Sequence, residues 1–134
     1  MVRQHHCRHV CLIALGALST WHALASPPDA ERGRALASDP RRGNCVICHS
    51  IPIAGMPPDA FGNLGPSLNG VGSRLTPEAL RQRIVDPRIV SPETIMPAYS
   101  VFTGLYRVQQ AYVGKPILTP EEVDDVVAFL MTLK

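Results

Sequence analysis

Residues 45 to 49 read Cys45-Val46-Ile47-Cys48-His49, two thiols and an imidazole within five positions. On a turn, sulfurs three positions apart can each add to one vinyl group of a porphyrin. The histidine that follows directly is then carried beneath the iron as its proximal ligand. One such run implies one covalently attached haem c, with Cys45 and Cys48 as thioether anchors and His49 as an axial ligand. A chain built this way has to fold around a large, flat, apolar group.

The first 25 residues differ in composition from the rest. Arg3 and Arg8 make a positive start, Val10 to Leu18 form an apolar stretch, and Ala23-Leu24-Ala25 gives a small-x-small site before Ser26. This is the pattern of a cleaved export signal, and its apolar run is too short to span a bilayer. The expectation is therefore a signal over residues 1–25 and a single domain over residues 26–134, exported to the periplasm with no membrane span in the mature form.

Cleavage would change the chemistry that is left. Arg3 and Arg8 account for two of the 13 Lys and Arg, so the remaining basic residues equal the 11 Asp and Glu in number. No basic footprint for nucleic acid remains. Cys7 and Cys11 lie in the signal, as do all histidines except His49, so the motif holds the thiols and the imidazole of the mature chain. A zinc site needs about four ligands, usually from two Cys/His clusters, and there is no second cluster. A thioredoxin-like dithiol needs alternating strands and helices, whereas the flanks here are helical or rich in Gly and Pro.

The rest reads as helices joined by long Pro-rich loops, an all-α chain. Asp29 can cap a helix over Ala30 to Ala37. Thr76-Pro77-Glu78 starts a second helix, with Leu75 and Leu80 placed as a hydrophobic staple, and Asp86-Pro87 stops it. Thr119-Pro120-Glu121-Glu122 is a capping box, with Leu118 placed to staple onto Val123. Val123, Val126, Val127, Leu130 and Leu133 then recur at helical spacing as a core face, while Asp124 and Asp125 are expected to face solvent.

An electron carrier fills both axial positions of its iron, so that the charge changes without a change of ligands. With no second histidine in the mature chain, the candidates are Met56, Met96, Met131 and a lysine, Lys115 foremost. Met96 is preferred, because Pro97 biases it toward an extended backbone in a loop. Met56 also precedes a proline, but the Gly62 to Pro66 run must still return the chain toward the helices. Met131 sits on the buried edge of the last helix, where a thioether more often fills a gap.

These residues together resemble class I cytochromes c. More narrowly, residues 62–134 are similar to the SoxX family, the monohaem subunits of the SoxAX cytochromes of thiosulfate oxidation. The matching phrases are Gly65-Pro66-Ser67-Leu68, Val85-Asp86-Pro87, Thr94-Ile95-Met96-Pro97-Ala98-Tyr99, Gly114-Lys115-Pro116-Ile117-Leu118-Thr119 and Val126-Val127-Ala128-Phe129-Leu130. The resemblance implies a class I cytochrome c-like fold and His49 with Met96 as the axial pair. It also implies a bond from the His49 imidazole to the Pro66 carbonyl; read alone, Gly65-Pro66 is simply a turn. Val101 to Pro116 exceeds what a minimal cytochrome c requires. Its Phe102, Leu105, Tyr106, Val108 and Tyr112 suit either a protein interface or a lid over the haem edge.

By the same resemblance the protein is an electron-transfer subunit rather than an enzyme. A SoxA-like cytochrome would be its heterodimer partner and would carry the catalytic site that couples thiosulfate to a carrier cysteine, and a soluble acceptor such as another cytochrome c would take the electrons onward. Two rivals are a freely diffusing shuttle unrelated to sulfur and a haem sensor or enzyme with an open iron.

Overall fold

Three of the four helices begin where a side chain takes up backbone N–H groups that would otherwise have no partner. The computed structural model describes residues 26–134, and the expected signal lies outside the described residues. In α1 (Ala30–Ser38), Asp29 Oδ1 accepts from the amides of Glu31 at 2.9 Å and Arg32 at 3.0 Å. In α3 (Pro77–Val85), Thr76 Oγ1 accepts from Ala79 at 3.2 Å, and in α4 (Pro120–Thr132) Thr119 and Glu122 form the reciprocal capping box. Pro77 and Pro120 occupy first-turn positions, where a missing N–H costs nothing. The short α2 (Val71–Arg74) has no side-chain cap and starts from Gly70 in the left-handed region. No strand occurs among the described residues, so the chain is all-α, with 3-10 turns at Cys45–Ile47, Pro58–Ala60, Pro87–Ile89 and Gln110–Tyr112.

The last helix organises the rest. Its stripe of Val123, Val126, Val127 and Leu130 is buried, and Leu118 and Leu75 pack into the same core. α2 and α3 pack against α4, and α1 crosses it at very close range. At the crossing, a Cβ added to Gly33 would stand 2.0 Å from the carbonyl oxygen of Asp125, so glycine sets how near the two backbones come.

The expectation that Asp124 and Asp125 face solvent fails for Asp125. Asp125 is buried, at 5% exposure. Its carboxylate receives the Asp29 amide at 2.7 Å and both Nε and Nη2 of Arg32 at 2.9 Å. Asp124 is half-buried and pairs with Arg81 of α3 at 2.7 Å. The apolar stripe marks one side of α4, whereas the Gly33 approach and the Asp125–Arg32 ion pair at its contact with α1 leave no hydrophobic trace in the sequence.

Gly33→Ala tests the crossing. Alanine raises helix propensity by ~1 kcal/mol, yet its methyl meets backbone that cannot rotate away. A net loss of about 2 kcal/mol is expected in denaturant unfolding of the holoprotein. An unchanged or raised midpoint would mean that the helices do not meet here.

Candidate haem site

The attachment turn is fixed from inside and outside. Val46 is buried and anchors it, Asn44 enters in the left-handed region at φ 47°, and the Cys45 carbonyl accepts from Cys48 at 3.2 Å and His49 at 2.9 Å. The run Gly65 to Leu68 lies against this turn. Gly65 N–H donates to the Cys48 carbonyl at 2.8 Å, and Leu68 N–H donates to that of Ser50 at 2.9 Å.

Between them sits the His49 ring. Its Nδ1 lies 2.7 Å from the Pro66 carbonyl oxygen, which can only accept, so Nδ1 carries the proton and Nε2 keeps its lone pair for a metal. A Cβ on Gly65 would come within 2.4 Å of the ring's Cε1, so the backbone itself forms the wall behind the imidazole.

Cys45, His49 and Met96 line one cavity of about 630 Å³. Leu68, Val71, Leu80, Ile84, Leu118 and Leu130 make its apolar walls, and Tyr99 closes part of it. Cys48 is half-buried in the same turn without lining the cavity. Of the methionines among the described residues, Met56 and Met131 pack against the core away from it, and Lys115 is exposed on a loop elsewhere. No residue between 101 and 116 is on the lining of the cavity itself, and Tyr112 of that stretch is tied instead to the Arg41 carbonyl, four positions before Cys45. A more open groove of about 990 Å³ beside α1 and the start of α4 is lined by Arg32, Asp39, Glu121 and Asp124. It offers neither sulfur nor imidazole.

The loop bearing Met96 leaves α3 through a capped turn. Asp86 Oδ1 accepts from the Arg88 amide at 3.2 Å, and its carboxylate takes Nε and Nη2 of Arg88 at 2.7 and 2.8 Å. The Arg88 guanidinium holds the Asp86 carboxyl below its ordinary range. Met96 N–H then donates to Thr94 Oγ1 at 3.1 Å.

Sequence reasoning assigned no part to Arg74, Arg83 or Tyr99. Both side chains line the cavity, and their guanidinium groups are bonded to backbone carbonyls, Arg74 to Ser67 at 3.0 Å and Arg83 to Ala79 at 2.9 Å. No carboxylate pairs with either among the described ion pairs. A basic residue on an otherwise apolar helix face was the available signal for Arg83. Tyr99 was within a matching phrase, but its partner lies 56 positions away.

The site fits haem c. Two cysteines and a histidine lie on one turn, a thioether shares a cavity with Cys45 and His49, the walls are mostly apolar, and Arg74 and Arg83 on its lining could pair with the carboxylates of a bound haem. The alternatives do not fit as well. Among the described residues no group of three or more His, Cys, Asp or Glu could hold a metal ion. Burial pushes the Cys45 thiol up to about 11, which leaves little thiolate for dithiol exchange at neutral pH.

The chain belongs to the cytochrome c family, whose profile matches residues 30–134, and it carries one covalently bound haem c. The fold is that of a class I cytochrome c. The crystal structure of SoxXA from P. pantotrophus is similar to it, with a TM-score of 0.70 and 34% identity, over 81% of this chain and 84% of that one. This neighbour agrees with the SoxX resemblance read from the sequence. An uncharacterized lipoprotein of Aquifex aeolicus (strain VF5) is 35% identical over 91 residues, which are 67% of this chain and 36% of that protein. The chain thus spans about a third of that relative. Among the described residues no helix is long and apolar enough to cross a membrane.

Gly65→Ala should leave the thiols intact while displacing the imidazole. Covalent haem per protein, read from absorbance against total protein, should fall several-fold in cells that assemble wild-type holoprotein normally. Full incorporation would mean that the wall behind His49 yields easily.

Proposed function

We propose that this protein is the electron-transfer subunit of a SoxAX-type complex in the periplasm, its signal removed after residue 25. The observation that carries this is the single cavity onto which His49 and Met96 both open, in a chain similar to SoxXA. The haem held there supplies a one-electron couple whose potential follows from its axial ligands. His49, oriented and made more basic by Pro66, is the proximal ligand, and Met96 is the sixth, its soft sulfur favouring the ferrous state. Cys45 and Cys48 anchor the haem covalently. Arg74 and Arg83 would be the cations available to its carboxylates, and Leu68, Leu80, Ile84 and Leu130 would help to exclude water from the cavity that holds it.

The chain itself has little equipment for sulfur chemistry. With both cysteines engaged as thioethers, residues 26–134 hold no thiol that could carry a persulfide or attack thiosulfate. The bond-forming step therefore belongs to a SoxA-like partner, and this subunit passes the released electron to a soluble acceptor such as another c-type cytochrome.

Two measurements test the proposal. Tagged protein recovered from thiosulfate-grown cells should run as a heterodimer with a second haem protein; recovery alone, at monomer mass, would leave a freely diffusing shuttle as the reading. Met96→Ala should change the ferric spectrum and open the ferrous iron to carbon monoxide, which wild-type protein should bind poorly. Ready binding by wild-type protein would instead indicate an open-iron sensor or enzyme.

A further inference from the structure

Tyr99 lies three positions after Met96 and is buried, at 7% exposure. Three of its groups bond to three separate parts of the chain. Its amide donates to the Ile84 carbonyl of α3 at 3.1 Å, and its carbonyl accepts from Leu118, just before the α4 cap, at 2.9 Å. Its hydroxyl donates to the carbonyl of Gly43 at 2.8 Å. Gly43 stands two positions before Cys45, and its own amide is fixed to Leu36 at the end of α1 at 3.1 Å.

By contrast, the backbone on the other side of Met96 is held locally. Met96 bonds to Thr94, and Thr94 to Ser91 at 3.1 Å, both within the same loop. What holds Met96 over the cavity from its C-terminal side passes through Pro97 and Ala98 to Tyr99, and Pro97 restricts the intervening backbone.

We infer that Tyr99 is a positioning residue for the sixth ligand: its hydroxyl locks the Met96 loop to the haem-attachment turn through Gly43. Tyr99 also lines the cavity, but its O–H is engaged by Gly43. It therefore acts on the iron through the loop. Swinging Met96 away would break the Tyr99 to Gly43 bond and leave a buried carbonyl without a donor, so this bond opposes loss of the ligand. The inference rests on Met96 as the axial ligand.

The test is titration of ferric holoprotein with imidazole, which competes with Met96 for the iron. Tyr99→Phe keeps the ring and removes the hydroxyl, and the apparent imidazole affinity should rise about tenfold, a change of about 1.4 kcal/mol. Val123→Ala is the control. Val123 is fully buried in α4 and does not line the cavity, so this variant should lose global stability while imidazole affinity stays within about twofold. An unchanged affinity in Tyr99→Phe, or an equal rise in Val123→Ala, overturns the inference.

Met96→Ala separates the two levels of the argument. If it binds imidazole far more tightly than wild type while Tyr99→Phe does not, the ligand stands and the clamp falls. If it binds no more tightly than wild type, the ligand assignment falls and the clamp with it. Should Tyr99→Phe fail to fold, the wild-type holoprotein provides a second reading by amide hydrogen exchange. Saturating imidazole should speed exchange at Tyr99 and Leu118 several-fold while leaving Val123 unchanged; no acceleration overturns the inference.

Discussion

Five apolar side chains of α2, α3 and α4 share one partner. Val71, Leu80, Ile84, Val126 and Leu130 belong to the hydrophobic core, and all of them also face the haem cavity. In a domain this small, the chain alone cannot bury enough apolar surface to make a large core. The porphyrin completes the interior, and the attachment turn is the point at which chain and cofactor become one covalent unit. Positions of the helices, the loop and the axial side chains follow from that requirement.

The two sides of the cavity are held in different ways. Around His49 the holding contacts lie within one stretch of chain, from Cys45 to Leu68, and the ring has a carbonyl before it and a glycine backbone behind. Around Met96 the local contacts are few, and the holding bonds reach Gly43, Ile84 and Leu118. One side of the cavity is thus held by contacts within a single stretch of chain, and the other by bonds that reach three separate parts of it.

Much of this was legible in the sequence, because the signals were local. The motif at 45–49, the caps Asp29, Thr76 and Thr119, and the apolar stripe of α4 each depend on spacing within one turn or two, and the helices begin where those residues place them. What could not be read was contact between distant positions. Asp125 looks like an exposed acid near a helix start until Arg32 and Asp29 are seen to lie on it. Gly33 resembles a weak point in a short helix until it proves to be the crossing. The aromatic content of the stretch from 101 to 116 could not show which part of the chain it packs on. Tyr112 of that stretch is bound to the Arg41 carbonyl at 2.7 Å.

The α1 to α4 crossing also has a bearing on the order in which the molecule can be made. Arg32 and Asp125 are 93 positions apart, with α1 at one end of that span and α4 at the other. A chain emerging from the ribosome has no partner for α1 until α4 has been made, so this contact forms long after α1 itself is available. That timing suits the proposed export, in which the polypeptide would be threaded across a membrane before it settles, and would meet its haem only on the far side. Topology would then serve as a delay, keeping the chain loose through the interval in which folding would be premature.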